Sequence, residues 1–329
     1  MSILLIAIVA FSLVFSYTNG FHDTANAIAT SVSTRALSPR VAVTMAAIAN
    51  LVGALYSTEV AKTVGKGIVD VTGGVSLELV LAAVIGAVFW NLLTWYFGIP
   101  SSSSHALIGG LVGAAVMEGG LNMVQWNDLL MKVIIPMVTS PVGGFIVAFA
   151  LMTGLLWLVR HWSPAPVNRW FRMLQVGSAA FMAVSHGRND AQNAMGVITL
   201  ALLAAGQIET FSVPLWVILL SAGSMAAGTY TGGWRIIHTL GTKVIKLDPI
   251  HGFAAETSAA IVIQVASSIG APVSTTQTIT AAIMGVGSTK RLSAVRWGVA
   301  RSIVTAWVFT LPAAAAVAAL TYLALTAIF

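Results

Sequence analysis

Ten apolar stretches fill most of the 329-residue chain, at approximately 2–34, 41–57, 77–97, 101–117, 131–160, 173–205, 213–232, 253–269, 272–287 and 297–327. They are separated by short joints rich in Gly, Pro and charge. About 20 apolar residues cross a bilayer as a helix, whereas barrel strands run to about ten and alternate in polarity. The pattern predicts an all-α polytopic membrane protein with about 10–12 helical membrane segments. Stretches 2–34 and 173–205 are too long for one simple crossing and carry polar motifs inside them. They are predicted to break or unwind near Gly20 and Gly187. Stretches 101–117 and 272–287 are short and begin with Pro and hydroxyl residues. They read as second arms of re-entrant hairpins, with 77–97 and 253–269 as first arms, because irregular backbone at membrane depth must line a cavity or pack on protein. The opening MSILLIAIVAFSLVF lacks a basic n-region and an A-x-A-like cleavage site, so it reads as a retained first span.

The polar interruptions are duplicated. Residues 19–27 read NGFHDTANA and residues 186–194 read HGRNDAQNA, both containing G-x-x-D-x-x-N-A. Asp23 and Asp190 lie 167 residues apart, as do Asn26 and Asn193. A second pair, Pro100-Ser-Ser-Ser-Ser104 and Pro272-Val-Ser-Thr-Thr276, recurs after 172 residues. Lys62-Thr-Val-Gly65 resembles His238-Thr-Leu-Gly241, and Gly53 falls opposite Gly228. The chain divides into an N-terminal repeat at 1–128, a connecting span and short cytoplasmic loop at 129–172, a C-terminal repeat at 173–296 and a terminal span at 297–329.

Charge gives the relative direction of the halves. Only 8% of residues are charged and 57% are hydrophobic, where a soluble domain carries about 25% charged residues. The net charge of +6 resides in short loops, which points to topology and lipid head groups rather than to nucleic acid. Arg35 and Arg40, then Arg160, Arg169 and Arg172, then Lys290, Arg291 and Arg296 mark cytoplasmic loops under the positive-inside rule. Loops 118–128 and 205–213 fall outside, as do both termini, and loop 57–75 with Lys62 and Lys66 weakly disobeys. Corresponding loops thus lie on opposite sides, which is an inverted-topology repeat. No cysteine is present, so thiolate chemistry is excluded.

The polar residues supply a site. Pro followed by Ser/Thr marks a helix start. The free N–H groups and dipole of that end attract anions. Ser102, Ser103 and Ser104 add hydroxyls from one half, and Ser274, Thr275 and Thr276 from the other. Two such ends facing each other suit a tetrahedral oxyanion. Carboxylates at Asp23 and Asp190 would repel it unless each carries a cation. That cation is Na⁺, with Asn26 or Asn193 as co-ligand, or H⁺ on the carboxylate. Na⁺ at Asp23 and Asp190 is the metal this pattern admits, and no other cofactor is expected. Cation binding then lowers the cost of anion binding. Arg188 has Phe21 opposite it, and is a candidate for phosphate contact or for neutralising Asp190 or Glu256. His22, His105 and His186 lack H-x-x-x-H spacing, so a histidine metal site is not expected. Glu256, Gln277, Asn91, Gln192 and Gln264 are secondary candidates for lining the path.

These segments resemble a known family. G-F-H-D-T-A-N-A-I-A-T (20–30), S-H-G-R-N-D-A-Q-N-A-M-G (185–196), P-S-S-S-S-H (100–105) and P-V-S-T-T-Q (272–277) are similar to the signature elements of the inorganic phosphate transporter (PiT) family. The resemblance implies inverted repeats, phosphate symport with Na⁺ or H⁺ by alternating access, a multi-pass cell-membrane location and a homodimer. It implies that Asp23, Asn26, Asp190, Asn193 and the two hydroxyl clusters form the phosphate and cation sites. Some bacterial members are thought to carry a neutral metal–phosphate complex. The loop between halves is shorter here than in many members.

There are three rival readings, of which a passive anion channel would not need two membrane carboxylates. A transporter of another oxyanion such as sulfate would resemble the family in fold, but is expected to lack the G-F-H-D-x-x-N-A signature. An intramembrane hydrolase using Ser104, His105 and Asp23 is disfavoured, since Gln277 replaces His105 in the second copy and cannot act as a base. The chain is expected not to be an enzyme, and no Walker motif for direct ATP drive is present.

Overall fold

The computed structural model describes residues 2–71, 73–240 and 247–328. It is all-helical, and the described residues contain no strand beyond one isolated bridge between Val69 and Val124. The helices are α1 (Ile3–Ser33), α2 (Pro39–Ala54), α3 (Glu59–Lys66), α4 (Leu77–Phe97), α5 (Ser103–Gly119), α6 (Trp126–Leu129), α7 (Ile135–Leu158), α8 (Pro164–Ala204), α9 (Leu215–Thr231), α10 (Trp234–His238), α11 (Pro249–Ser268), α12 (Thr275–Ser288) and α13 (Trp297–Thr326). Each of the ten apolar stretches coincides with one of them. The short helices α3 and α10 were not anticipated. They sit where the Lys62 and His238 segments correspond, although Gly241 lies outside the described residues.

Four described runs are long and apolar enough to cross a membrane alone: α1, α4, Trp126–Leu158 and α13. The pair α2 and α3, bent by 73°, makes a fifth. This is fewer than the 10–12 segments expected, for a physical reason. α5 and α12 are short, and α8 and α11 carry the buried polar side chains that lower their hydropathy. Large apolar side chains such as Phe89, Leu92, Val138, Val265, Val308 and Leu320 remain exposed over the helical surface. Such a surface suits lipid rather than water.

The breaks expected at Gly20 and Gly187 do not occur. α1 runs unbroken for 31 residues and α8 for 41. Both glycines serve close helix approach instead. A Cβ on Gly20 would strike the backbone of Met225 and Thr229 in α9, and one on Gly187 the backbone of Asn50 in α2. The opposing helices contribute matching glycines: Gly228 faces the Tyr17 carbonyl and Gly53 the Val184 carbonyl. Each long helix therefore packs on a helix from the other half. The loop expected at 160–172 is also shorter. Ser163 and Pro164 start α8 there, with Pro at the first helical position where its missing N–H costs nothing.

α4 and α5 are joined by residues 98–102 and pack on each other, as α11 and α12 do across residues 269–274. Gly98 (φ 65°) and Gly270 (φ 71°) end the first arms in the left-handed region that glycine tolerates. α13 then packs on the first hairpin and α7 on the second.

The buried apolar residues form two clusters. Along α1 the chain leaves one cluster after Phe15 and joins the other at Ala25. Along α8 it leaves the second cluster after Val184 and enters the first at Ala191. The two long helices thus meet the clusters in opposite order, with the duplicated polar motif at each crossover.

Candidate functional site

Four helices bring the duplicated motifs together. Asp23 and Asn26 lie one turn apart on α1, and Asp190 and Asn193 on α8, so each pair shares a helix face. α5 and α12 point their N-termini at the same place. Ser102 accepts from the His105 amide at 3.3 Å and Ser274 from the Gln277 amide at 3.2 Å, which makes them N-caps. The next two hydroxyls of each helix are left to face the carboxylates and amides.

The contacts repeat with the sequence. Ser103 donates to Asp23 Oδ2 at 2.8 Å, and its counterpart Thr275 donates to Asp190 Oδ2 at 3.2 Å. Asn26 donates across to Thr276 at 2.8 Å and Thr275 at 3.1 Å, while Asn193 donates across to Ser104 at 2.7 Å. Thr276 also donates to Asp23 Oδ1 at 2.9 Å. Gln277 Nε2 and His105 Nδ1, residues of equal rank in the two elements, approach to 3.4 Å. All of these residues are buried.

Asn19 joins the two halves. Its Nδ2 lies 3.3 Å from Asp23 Oδ2 and 3.3 Å from Asp190 Oδ2, so one amide spans both carboxylates. The residue opposite it in the repeat, His186, places Nε2 3.3 Å from Asp190 Oδ2. His22 Nδ1 lies 3.0 Å from Asp23 Oδ1 and its Nε2 3.1 Å from Thr94. One ligand atom each from Asp23, His186 and Asp190 falls within 4.8 Å of the others, a set that could hold a cation. H-x-x-x-H spacing describes one helix, whereas this cluster is assembled from α1 and α8. Among the described residues, Asn26 Oδ1, Asn193 Oδ1 and Asp190 Oδ1 are buried with no hydrogen-bond partner. Oxygen atoms left this way suit a cation.

The secondary candidates separate. Arg188 turns away from both acids. It bonds to Gln264 and to Ser268 and lies over the Tyr56 ring. Glu256 stands apart from Arg188, accepting from Thr30, Ser178 and Gln175. Gln192 accepts from the Ala61 amide at 3.0 Å, and Asn91 Nδ2 lies 3.5 Å from the Thr18 hydroxyl. Ser104, His105 and Asp23 do not form a relay. Ser104 accepts from Asn193, His105 meets Gln277, and Asp23 holds Ser103. Asn19 and Asn50 were missed. Asn19 was legible as the column opposite His186, whereas nothing in the sequence marks Asn50.

The comparisons agree with this architecture. The family model described as "Phosphate transporter family" matches residues 19–318. A probable low-affinity inorganic phosphate transporter of Rhizobium meliloti is 49% identical over 98% of this chain and 96% of its own length. Its namesake in Bacillus subtilis is 44% identical over 99% and 98%. A solved structure, "The sodium-dependent phosphate transporter", superposes with a TM-score of 0.91 at 26% identity over 100% of both chains. The chain is an integral membrane protein of a transport family, not an enzyme family, and it belongs to the phosphate transporter family.

Proposed function

We propose that this protein carries inorganic phosphate across the cell membrane by cation-coupled symport with alternating access. The reading rests most on one observation: two helix N-termini with paired hydroxyls converge on two carboxylates from opposite halves of the chain. In this reading Ser102, Ser103, Ser104, Ser274, Thr275 and Thr276, with Asn26 and Asn193, take the phosphate oxygens. Asp23 and Asp190, with the same asparagines, take Na⁺ or H⁺. Cation binding at the carboxylates reduces the charge that otherwise repels the anion, so each ligand raises the affinity for the other.

The repeats are inverted and the α4–α5 and α11–α12 hairpins are re-entrant in this reading. The opposite order in which α1 and α8 meet the two apolar clusters supports it. The reciprocal Asn26–Thr276 and Asn193–Ser104 contacts let one half rock on the other about a site that stays in place. Na⁺ is the first cation to test, because the structural relative is a sodium-dependent transporter. The protein works as a homodimer in lipid on this reading.

The test is ³²P-phosphate uptake into proteoliposomes under an imposed Na⁺ gradient or an imposed proton gradient. Accumulation in one arm only establishes symport and names the ion. No uptake in either arm, from folded and inserted protein, refutes free-phosphate symport. A parallel arm with Mg²⁺ distinguishes a neutral metal–phosphate complex, and a sulfate arm tests the wider oxyanion reading.

A further inference from the structure

His186 has two ring nitrogens with different surroundings. Nδ1 lies 3.0 Å from Asn50 Oδ1. Nε2 is buried, faces Asp190 Oδ2 at 3.3 Å, and makes no hydrogen bond among the described residues. The orientation of the Asn50 amide follows from its other end. Asn50 Nδ2 donates to the Thr229 hydroxyl at 2.9 Å, and that hydroxyl points on to the Gly20 carbonyl at 3.5 Å. Asn50 therefore presents an acceptor to Nδ1, and a neutral imidazole must carry its hydrogen there. Its lone pair then sits on Nε2 and faces Asp190 and Asp23.

A lone pair aimed at two carboxylates is repulsive unless something positive lies between them. Asp190 Oδ2 already accepts from Asn19 and Thr275. The arrangement of Asp23, His186 and Asp190 within 4.8 Å is thus a cation cradle with one nitrogen and two carboxylate ligands. Histidines that ligate cations commonly donate their other N–H to a carbonyl or carboxylate, which fixes ring and tautomer. Asn50 stands in that position. It is held there tightly, since Gly187, beside His186, packs on the Asn50 backbone.

We infer that Asn50 is a positioning residue which holds His186 as the Nδ1–H tautomer, so that Nε2 becomes the third ligand of one cation shared by Asp23 and Asp190. This rests on the symport reading and adds to it a nitrogen ligand and the residue that aims it.

Two measurements test it. The first is ¹⁵N-histidine solid-state NMR of the full-length protein in lipid, with His186 assigned by difference against H186Q. A protonated Nδ1 and unprotonated Nε2 are expected, and either the reverse tautomer or a doubly protonated ring overturns the inference whatever the protein transports. The second is the cation dependence of phosphate uptake, driven by whichever gradient powers the wild type. N50L should raise the half-saturating cation concentration roughly 10- to 100-fold. Its half-saturating phosphate, read at saturating cation, should stay within about threefold. N50D keeps an acceptor for Nδ1 and should restore cation dependence to near wild type. An unchanged cation requirement in N50L overturns the inference, as does equal loss in N50L and N50D. If N50L does not fold, N50D and the NMR tautomer decide. If no gradient drives the wild type, the symport reading fails, and the tautomer alone decides the role of Asn50.

Discussion

Asn193 of α8 donates a 2.7 Å hydrogen bond to Ser104 in the first turn of α5. The donor belongs to the second half of the chain and the acceptor to the first. The contact has a mate with the halves exchanged, Asn26 to Thr276 at 2.8 Å. Neither half is self-contained here, because Ser104 and Thr276 are each held by an amide from the other repeat. Removing either amide should damage phosphate affinity by a similar amount. A neutral hydrogen bond contributes about 0.5–1.5 kcal/mol, or roughly 2- to 13-fold in a binding constant. N26A and N193A should each raise the half-saturating phosphate within that range. Concentration dependence of ³²P uptake reads it, and a loss confined to one of the two would break the proposed equivalence.

The two carboxylates should behave differently from the amides. D23N and D190N remove the charge that a cation needs while preserving size and one acceptor oxygen. Each should abolish concentrative uptake and leave expression and insertion intact. Retained accumulation above equilibrium in either variant removes that residue from coupling.

Much of this was legible in the sequence, and what was not has identifiable causes. Stretch 77–97 coincides with α4, and 297–327 with α13 to within a residue, because both helices are apolar on nearly every side. The motif residues Asp23, Asn26, Asp190 and Asn193 do converge with Ser103, Ser104, Thr275 and Thr276, since duplication made them visible. The helix breaks failed because glycine in a membrane helix signals either bending or close packing, and only the partner helix distinguishes them. Asn50 and the destination of Arg188 were invisible for a similar reason. They depend on how α2 and α11 pack on α8, which no local pattern encodes.

Packing at Gly20 makes a stability prediction with an internal control. A methyl group there meets the α9 backbone, which cannot rotate away, whereas Gly223 has open space around its Cα. Overpacking costs about 1–3 kcal/mol. G20A should lower the apparent melting temperature followed by tryptophan fluorescence, and G223A should leave it unchanged or raise it slightly, since alanine favours helix. Equal behaviour of the two would mean that α1 and α9 do not approach as closely as described.

Glu256 offers a last test, of what holds the second hairpin to the long helices. Its carboxylate sits on α11, fully buried, and accepts from Thr30 on α1 and from Gln175 and Ser178 on α8. Gln175 is held in turn by Thr34 at 2.7 Å. One side chain therefore gathers donors from both long helices. Replacing it with leucine leaves three buried donors without their acceptor, each worth about 1–3 kcal/mol. E256L should be among the most destabilising single changes in the molecule, with a loss of roughly 3 kcal/mol or more. E256Q keeps one acceptor oxygen and should fall between E256L and wild type. Thermal unfolding of the three proteins in the same lipid or detergent gives the ranking. If E256L matched the wild type, the carboxylate would not be fastening α11 to α1 and α8, and the hairpin would depend on its apolar contacts alone.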